Sequence, residues 1–194
     1  MTPRAAAMTP DARRAQLVDV TLQLLRVHGR AVTTRQIAES AGIAEGTIFR
    51  VVDSKEELVD AAIEQAFAPG DVVARIQEID AAQPLRDRLL VLVSILQQRL
   101  RATFDLLQKV GLVGPPQHLH DSAAADEWRA RLSELLAGVV GDDADRLAVP
   151  VGEFVHVLRL LTFAGSHDHI ADGHLLAPDQ IVDTVLHGLL KRDA

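Results

Sequence analysis

The residues with the clearest potential for chemistry lie in one short stretch, TTRQIAESAGIAEGTIFRVVDSK at residues 33–55. Threonine, arginine, glutamate and lysine are interspersed there with small apolar residues, and they do not have the spacing of a catalytic or metal-binding motif. Arginine pairs with guanine edges and glutamate accepts from the amino group of cytosine, while threonine and lysine bind phosphate. The chemistry that this stretch predicts is therefore recognition of nucleic acid.

Two short helices joined by a turn must position these side chains. Thr33 and Gln36 have the spacing of a capping box, which marks a helix start. Gly42 marks the turn, because glycine adopts a left-handed backbone at little cost. Ala38 is small enough for two helices to cross closely, and Ile48 supplies an apolar face beyond the turn. The pattern predicts a helix-turn-helix whose outward-facing residues contact DNA.

A second capping box, Ser54 with Glu57, predicts a further helix whose first turn carries Lys55. Amide groups at a helix start bind phosphate, so both caps are candidate clamps on the DNA backbone. The alternative is that the caps only stabilise their helices. Glu45 has the wrong charge for phosphate unless it accepts from a cytosine amino group. The residues predicted to bind DNA are Thr33, Arg35, Glu45, Gly46, Thr47, Phe49, Arg50 and Lys55.

The segment from Arg13 to Phe67 resembles the DNA-binding domain of the tetracycline-repressor (TetR) family. The matching motifs are LVDVTLQLLRVHG, IAESAGI, EGTIF and DSKEELV. Ala44 stands where the family usually has a Ser or Thr cap, and Phe49 where it has a Tyr. Val51 and Val52 replace two aromatic residues. The resemblance implies a homodimer that binds palindromic double-stranded operator DNA, most often as a repressor that an unknown small-molecule effector releases.

The net charge of −7 argues against DNA binding only until it is divided along the chain. Residues 1–56 carry +2, whereas residues 57–194 carry −9. Arg4, Arg13 and Arg14 form a basic N-terminal arm that either follows the DNA or remains a solvated tail. The sequence has no cysteine, no apolar run of membrane-spanning length and no secretory signal. We therefore expect a cytoplasmic protein with no membrane partner.

Helical periodicity continues through the rest of the chain, and no stretch alternates as strands do, so the expected fold class is all-α with about nine helices. Helices are predicted over residues 17–29, 54–67, 85–110, 126–140, 151–164 and 179–191. The predicted domains are a flexible arm (1–10), a three-helix helix-turn-helix domain (11–56), and a helical ligand-binding and dimerisation domain (57–194).

The C-terminal helices supply candidates for a dimer interface and a ligand pocket. Periodicity implies only that their apolar stripes are buried, whereas the family resemblance implies that the last two helices pack against a second copy. The residues assigned to this interface are Phe154, Leu158, Leu161, Ile181, Val185 and Leu189. Aromatic residues either line an apolar cavity or fill the core. The residues assigned to an effector pocket are Phe67, Phe104, Leu107, Gln108, Trp128 and Phe154.

Other functions have weaker support in the sequence. His167, His169 and His174 lie close together, but a histidine-rich loop is a weak metal signal, so neither a metal nor a cofactor is predicted. An all-α enzyme is one alternative, although no nucleophile motif, phosphate loop or dinucleotide fingerprint is present. An adaptor that has kept the scaffold and lost DNA binding is the other, and Ala44 and Glu45 favour it.

Overall fold

A computed structural model describes residues 8–189 of the chain, apart from the side-chain surroundings of residues 120, 188 and 189. Arg4 and the first part of the predicted arm lie outside the described residues, as does the side chain of Leu189. Residues 8–189 contain α-helices and 3₁₀ helices and no β-strand, which confirms the all-α prediction. The α-helices are α1 (Pro10–His28), α2 (Thr34–Ala41), α3 (Lys55–Phe67), α4 (Val72–Gln77), α5 (Leu85–Lys109), α6 (Gln117–His120), α7 (Ala123–Val140), α8 (Val151–Ser166) and α9 (Pro178–Leu189). The 3₁₀ helices are Gly29–Ala31, Glu45–Arg50 and Gly141–Arg146.

Local sequence signals explain most of these boundaries. Thr9 caps α1, accepting from the Ala12 amide at 3.2 Å, and Pro10 supplies the fixed φ angle that suits a first turn. Ser122 caps α7 in the same way, through the Ala125 amide. The helices α5, α8 and α9 begin within one residue of their predicted starts, whereas α1 begins seven residues and α7 three residues before theirs. The short helices α4 and α6 were not predicted, because one or two turns show no periodicity.

The chain divides into two compact units, and the first consists of residues 8–68 with 105–115. Its core joins α1, α2 and α3 to the last residues of α5. The largest side chains that it buries completely are Leu17, Leu25, Ile37, Ile48, Leu58, Ile63 and Leu106. In packing, α3 therefore belongs with the helix-turn-helix. The predicted boundary at residue 56, between the DNA-binding domain and the ligand-binding and dimerisation domain, stays a prediction.

The second unit consists of residues 69–104 with 116–189. Its core brings together apolar faces of α5, α7, α8 and α9, represented by Leu92, Leu136, Leu158 and Ile181. The helix α5 contributes residues 85–104 to this unit and residues 105–109 to the first. No helix within residues 8–189 is both long and apolar enough to cross a bilayer.

Candidate nucleic-acid interface

The turn after α2 has the geometry that the sequence predicts. Gly42 adopts φ 68° and ψ 34°, in the left-handed region, and its amide donates to Glu39 O at 3.2 Å. The Ile43 amide donates to Ala38 O at 3.0 Å, which closes the end of α2. Ala38 and Ile48 are buried on the inner side of the turn. These contacts fix the direction in which the next element leaves the turn.

That next element, Glu45–Arg50, is a 3₁₀ helix rather than the α-helix expected after the turn. Ala44 occupies the cap position with extended backbone angles, and no side-chain hydrogen bond caps the helix. The Thr47 amide donates to Ala44 O at 2.8 Å, which is the tighter 3₁₀ pattern. Without a capping oxygen, and with Gly46 in the first turn, little in the local sequence stabilises an α-helical start.

The start of α2 is a well-formed capping box. The Gln36 amide donates to Thr33 Oγ1 at 3.2 Å, and the Thr33 amide donates to Gln36 Oε1 at 2.8 Å. Lys55 Nζ donates to Val32 O at 3.3 Å, which places its ammonium group beside the residue that precedes Thr33. An ammonium group and the positive end of a helix dipole thus lie together, and both attract phosphate.

The cap of α3 differs in one detail from its predicted form. Ser54 Oγ accepts from the Glu57 amide at 3.1 Å, as expected. The Glu57 carboxylate, however, accepts from the Asp53 amide at 2.8 Å instead of closing on Ser54. It also pairs with Arg14 at 2.9 Å. The Asp53 amide, and then the Arg14 guanidinium, hold the pKa of Glu57 below its ordinary value.

Glu45 has a partner that sequence reasoning missed, because the hydroxyl of Thr34 donates to its carboxylate. This bond ties the first residue of the 3₁₀ helix to the first residue of α2. The neighbouring Arg35 pairs with Glu39 at 2.8 Å, and this bond raises the pKa of Arg35 above its ordinary value, with a smaller contribution from Glu45. The negative charge of Glu45 therefore lies close to the predicted phosphate-binding residues.

The other residues predicted to bind DNA are accessible. Gly46, Phe49 and Arg50 are exposed and Thr47 is half-buried. A Cβ built on Gly46 would meet no atom within 4 Å, so the surface there is open. Arg50 forms no ion pair with any residue in the described part of the chain. The 3₁₀ helix thus presents an unpaired cation beside an open backbone, which suits base or phosphate contact.

The six residues predicted to form an effector pocket are not brought together within either unit. Phe67, Leu107 and Gln108 belong to the first unit, whereas Phe104, Trp128 and Phe154 belong to the second. Phe154 is fully buried in the core of the second unit. A cavity of about 400 Å³ does exist in the second unit, and none of the predicted residues lines it.

Four of the six residues predicted to form the dimer interface are packed inside the chain's own core. Phe154, Leu158 and Ile181 are 0% exposed, and Val185 is 2% exposed. Leu161 is half-buried. Because these side chains already pack against other helices of the same chain, they have little surface to offer a second copy. For these four residues the assignment needs correction, whereas the side chain of Leu189 lies outside the described residues. We expect an interface on α8 to use its outer face, which carries the exposed residues His156, Leu160 and Phe163.

The histidine-rich loop shows no metal-binding arrangement among the described residues, where no group of three potential ligands is assembled. His167 packs instead against aromatic rings, with centroid distances of 4.5 Å to Phe104 and 6.1 Å to Phe163. The two phenylalanine rings meet edge to face at 5.2 Å. His167 and Phe104 therefore form part of an aromatic cluster in the second unit.

Comparisons with known proteins agree with the geometry of the first unit. Residues 17–62 match the family of bacterial regulatory proteins designated tetR. The HTH-type transcriptional repressor KstR2 of Rhodococcus jostii (strain RHA1) is 43% identical over 63 residues, which are 31% of each protein. The chain thus matches about a third of the length of that relative. An uncharacterised HTH-type transcriptional regulator of Bacillus subtilis (strain 168), YvkB, is 28% identical over 169 residues, covering 79% of this chain and 86% of the relative.

The fold agrees as well. A tetR-family transcriptional regulator from Streptomyces coelicolor superposes with a TM-score of 0.58 at 21% identity, covering 93% of this chain and 80% of that protein. At this identity, the likeness supports the fold alone. The family match, by contrast, falls on the segment that contains the capped α2, the Gly42 turn and Lys55. The segment of residues 17–62 therefore belongs to the tetR family of bacterial regulatory proteins, and the chain shares its fold with the regulator from Streptomyces coelicolor.

Proposed function

We propose that this protein is a homodimeric transcriptional repressor that binds a palindromic operator in the cytoplasm and is released from it by a small-molecule effector. The observation that carries the proposal is the start of α2, where the Thr33 cap and Lys55 Nζ lie beside an accessible 3₁₀ helix bearing Arg50. Helix starts and cations fix a protein on phosphates, and side chains from the element beyond the turn read bases. Within this proposal, Thr33 and Lys55 hold the DNA backbone, and Arg50 reads a base.

A single helix-turn-helix reads few base pairs, which is the physical reason for proposing a dimer. Two copies related by a two-fold axis read two half-sites about one helical turn apart. Release follows if the effector binds more tightly to a dimer whose two heads do not match that spacing. A saturating effector then lowers the DNA affinity of the dimer by at most the ratio of the effector's affinities for the two states of the dimer.

Replacing Lys55 with alanine is expected to weaken binding to operator and non-operator DNA alike. The ammonium group neutralises one phosphate in this proposal, so the slope of log K against log salt should become shallower by about 0.9. Fluorescence anisotropy with a duplex from upstream of the gene and a random-sequence duplex, at several salt concentrations, measures both quantities. Arg101→Ala is the matched control, since it removes from α5 one exposed cation that forms no ion pair with a described residue. An unchanged slope in Lys55→Ala would refute the proposed docking.

Replacing Glu45 with glutamine is expected to raise the affinity for a random-sequence duplex. The amide still accepts a hydrogen bond from the Thr34 hydroxyl, so the link between the two helices remains while the negative charge near phosphate is removed. Removing one repulsive charge beside a polyanion should raise affinity roughly threefold to tenfold at low salt, and less at high salt.

Thr34→Val separates the two roles of Glu45, because it removes the hydroxyl donor and keeps the charge. We expect this variant to lose thermal stability without gaining non-specific affinity. If Glu45→Gln instead lost affinity only for the upstream duplex, Glu45 would be reading a base. If neither variant nor the native protein bound any duplex, the chain would be an adaptor that has kept the scaffold without its DNA-binding function.

A further inference from the structure

The cavity of about 400 Å³ in the second unit lies among three helical segments: α4 and the residues after it, the first turn of α5, and the last turns of α7. Its size is within the range of small-molecule sites. Its apolar wall includes Ile76, Ile79, Leu135 and Val139. Such a wall suits the hydrocarbon part of a ligand.

Arg88 supplies the polar group of this cavity. It lies on the apolar face of α5 between Leu85 and Leu89, and only 6% of the residue is exposed. Its Nη1 donates to Val139 O at 2.6 Å, and its Nη2 forms an ion pair with Asp143. Its Nε is buried and has no hydrogen-bond partner in the described part of the chain. An unpaired buried N–H group is costly, so a ligand acceptor that reaches it as the lining side chains move apart would be favoured.

The charges around Arg88 favour an acceptor that is negatively charged. Asp143 is shared, because it also pairs with Arg146 at 2.6 Å, and one carboxylate therefore serves two guanidinium groups. Arg131 lines the exposed side of the cavity and forms no ion pair with another described residue. Glu134 is the one acidic residue of the lining and is exposed, so water screens its charge. The side chains that line the cavity thus carry two cations, Arg88 and Arg131, and one anion, Glu134.

We propose that this cavity binds a small organic carboxylate with an apolar body, whose oxygen accepts from Arg88 Nε and whose hydrocarbon part packs on Ile76 and Leu135. This inference rests on the proposed function in one respect, namely that the ligand is the effector of the regulator. It narrows the effector from an unspecified small molecule to an amphipathic anion. A carboxylate is the natural partner of a guanidinium group because the hydrogen bond is charge-assisted.

Gly138 provides a way to close the cavity without disturbing the fold. It lines the cavity from inside α7, and a Cβ built on it would meet no atom within 4 Å. A leucine side chain there would extend into open space, and leucine favours a helix more than glycine does. Gly138→Leu should therefore fill the cavity in a folded protein, and Gly138→Ala is its matched control.

The experiment uses octanoate as the probe and octan-1-ol as its uncharged counterpart, with calorimetric titration and melting temperature as readouts. Octanoate should bind the native protein and Gly138→Ala with Kd below about 1 mM and raise their melting temperatures. Octan-1-ol should bind at least about tenfold more weakly. Gly138→Leu should remain folded and lose octanoate binding, and Arg131→Gln should weaken it several-fold.

Three results would overturn the inference: no octanoate binding to the native protein, equal binding of octanoate and octan-1-ol, or unchanged binding in Gly138→Leu. A parallel measurement of duplex DNA binding keeps this outcome separate from the function proposed above. A protein that binds DNA but not octanoate refutes only the ligand class. A protein that binds octanoate through this cavity but binds no duplex refutes only the regulatory function.

Discussion

Replacing Leu160 with glutamate is expected to convert a dimer into folded monomers. Leu160 is 56% exposed on the outer face of α8, and the nearby Phe163 is 43% exposed. A stable dimer interface buries about 1,200–2,000 Å² and is apolar at its centre. Because a two-fold symmetric interface contains each residue once from each copy, the variant would bury two charges there. Each uncompensated buried charge costs about 3 kcal/mol or more. The variant should also lose operator affinity, since one head binds only one half-site.

Two further variants separate loss of the dimer from loss of the fold. Leu158→Glu places a charge on the inner face of α8, where the native side chain is 0% exposed, so it should unfold the second unit. Val91→Glu adds the same charge to an apolar residue of α5 that is 43% exposed, and it should leave the dimer intact. Light scattering gives the mass of each variant, and circular dichroism gives its helix content. A dimeric Leu160→Glu, or a native protein that is monomeric at micromolar concentration, would contradict the proposal.

The contrast between Leu158 and Leu160 shows what helical periodicity predicts and what it leaves open. The spacing of Phe154, Leu158 and Leu161 correctly identifies the buried face of α8. It does not say whether a helix of the same chain or of a second copy covers that face. In this protein, the covering helices belong to the same chain. The surface that we propose for the dimer is the outer face of α8, where apolar residues such as Leu160 are mixed with polar ones.

Local hydrogen-bonding signals predicted the helix-turn-helix more closely. The Thr33–Gln36 box and the Gly42 turn depend on residues five or fewer positions apart, so the local sequence specifies them. The cavity depends instead on helices far apart in the sequence, since Arg88 and Gly138 meet only in the folded second unit. One signal was nevertheless present, because a charged residue at position 88 interrupts the apolar face of α5.

A second large effect is expected at Gly29, where the chain leaves α1. Gly29 has φ 56° and ψ −148°, close to a region that only glycine populates readily. A Cβ built there would lie 2.3 Å from Lys109 O, so the close approach involves rigid backbone. Two hydrogen bonds hold the end of α5 in this position: Lys109 Nζ to Arg26 O at 2.6 Å, and Arg30 Nε to Val110 O at 2.9 Å. Gly29→Ala has to break this arrangement or strain it.

We expect Gly29→Ala to lower the free energy of unfolding by about 3 kcal/mol or more, from backbone strain and overlap together. Gly42→Ala is the matched control, because Gly42 also has a positive φ but a Cβ there meets nothing within 4 Å. That variant should cost only about 1–2 kcal/mol. The variants Gly29→Asn and Gly42→Asn should differ more in stability than the two alanine variants do. Asparagine tolerates the left-handed backbone angles of Gly42 but not those of Gly29. Urea unfolding monitored by circular dichroism measures all four variants. Equal losses at the two glycines would show that the end of α5 yields to a methyl group, and that its contact with Gly29 does not hold the first unit together.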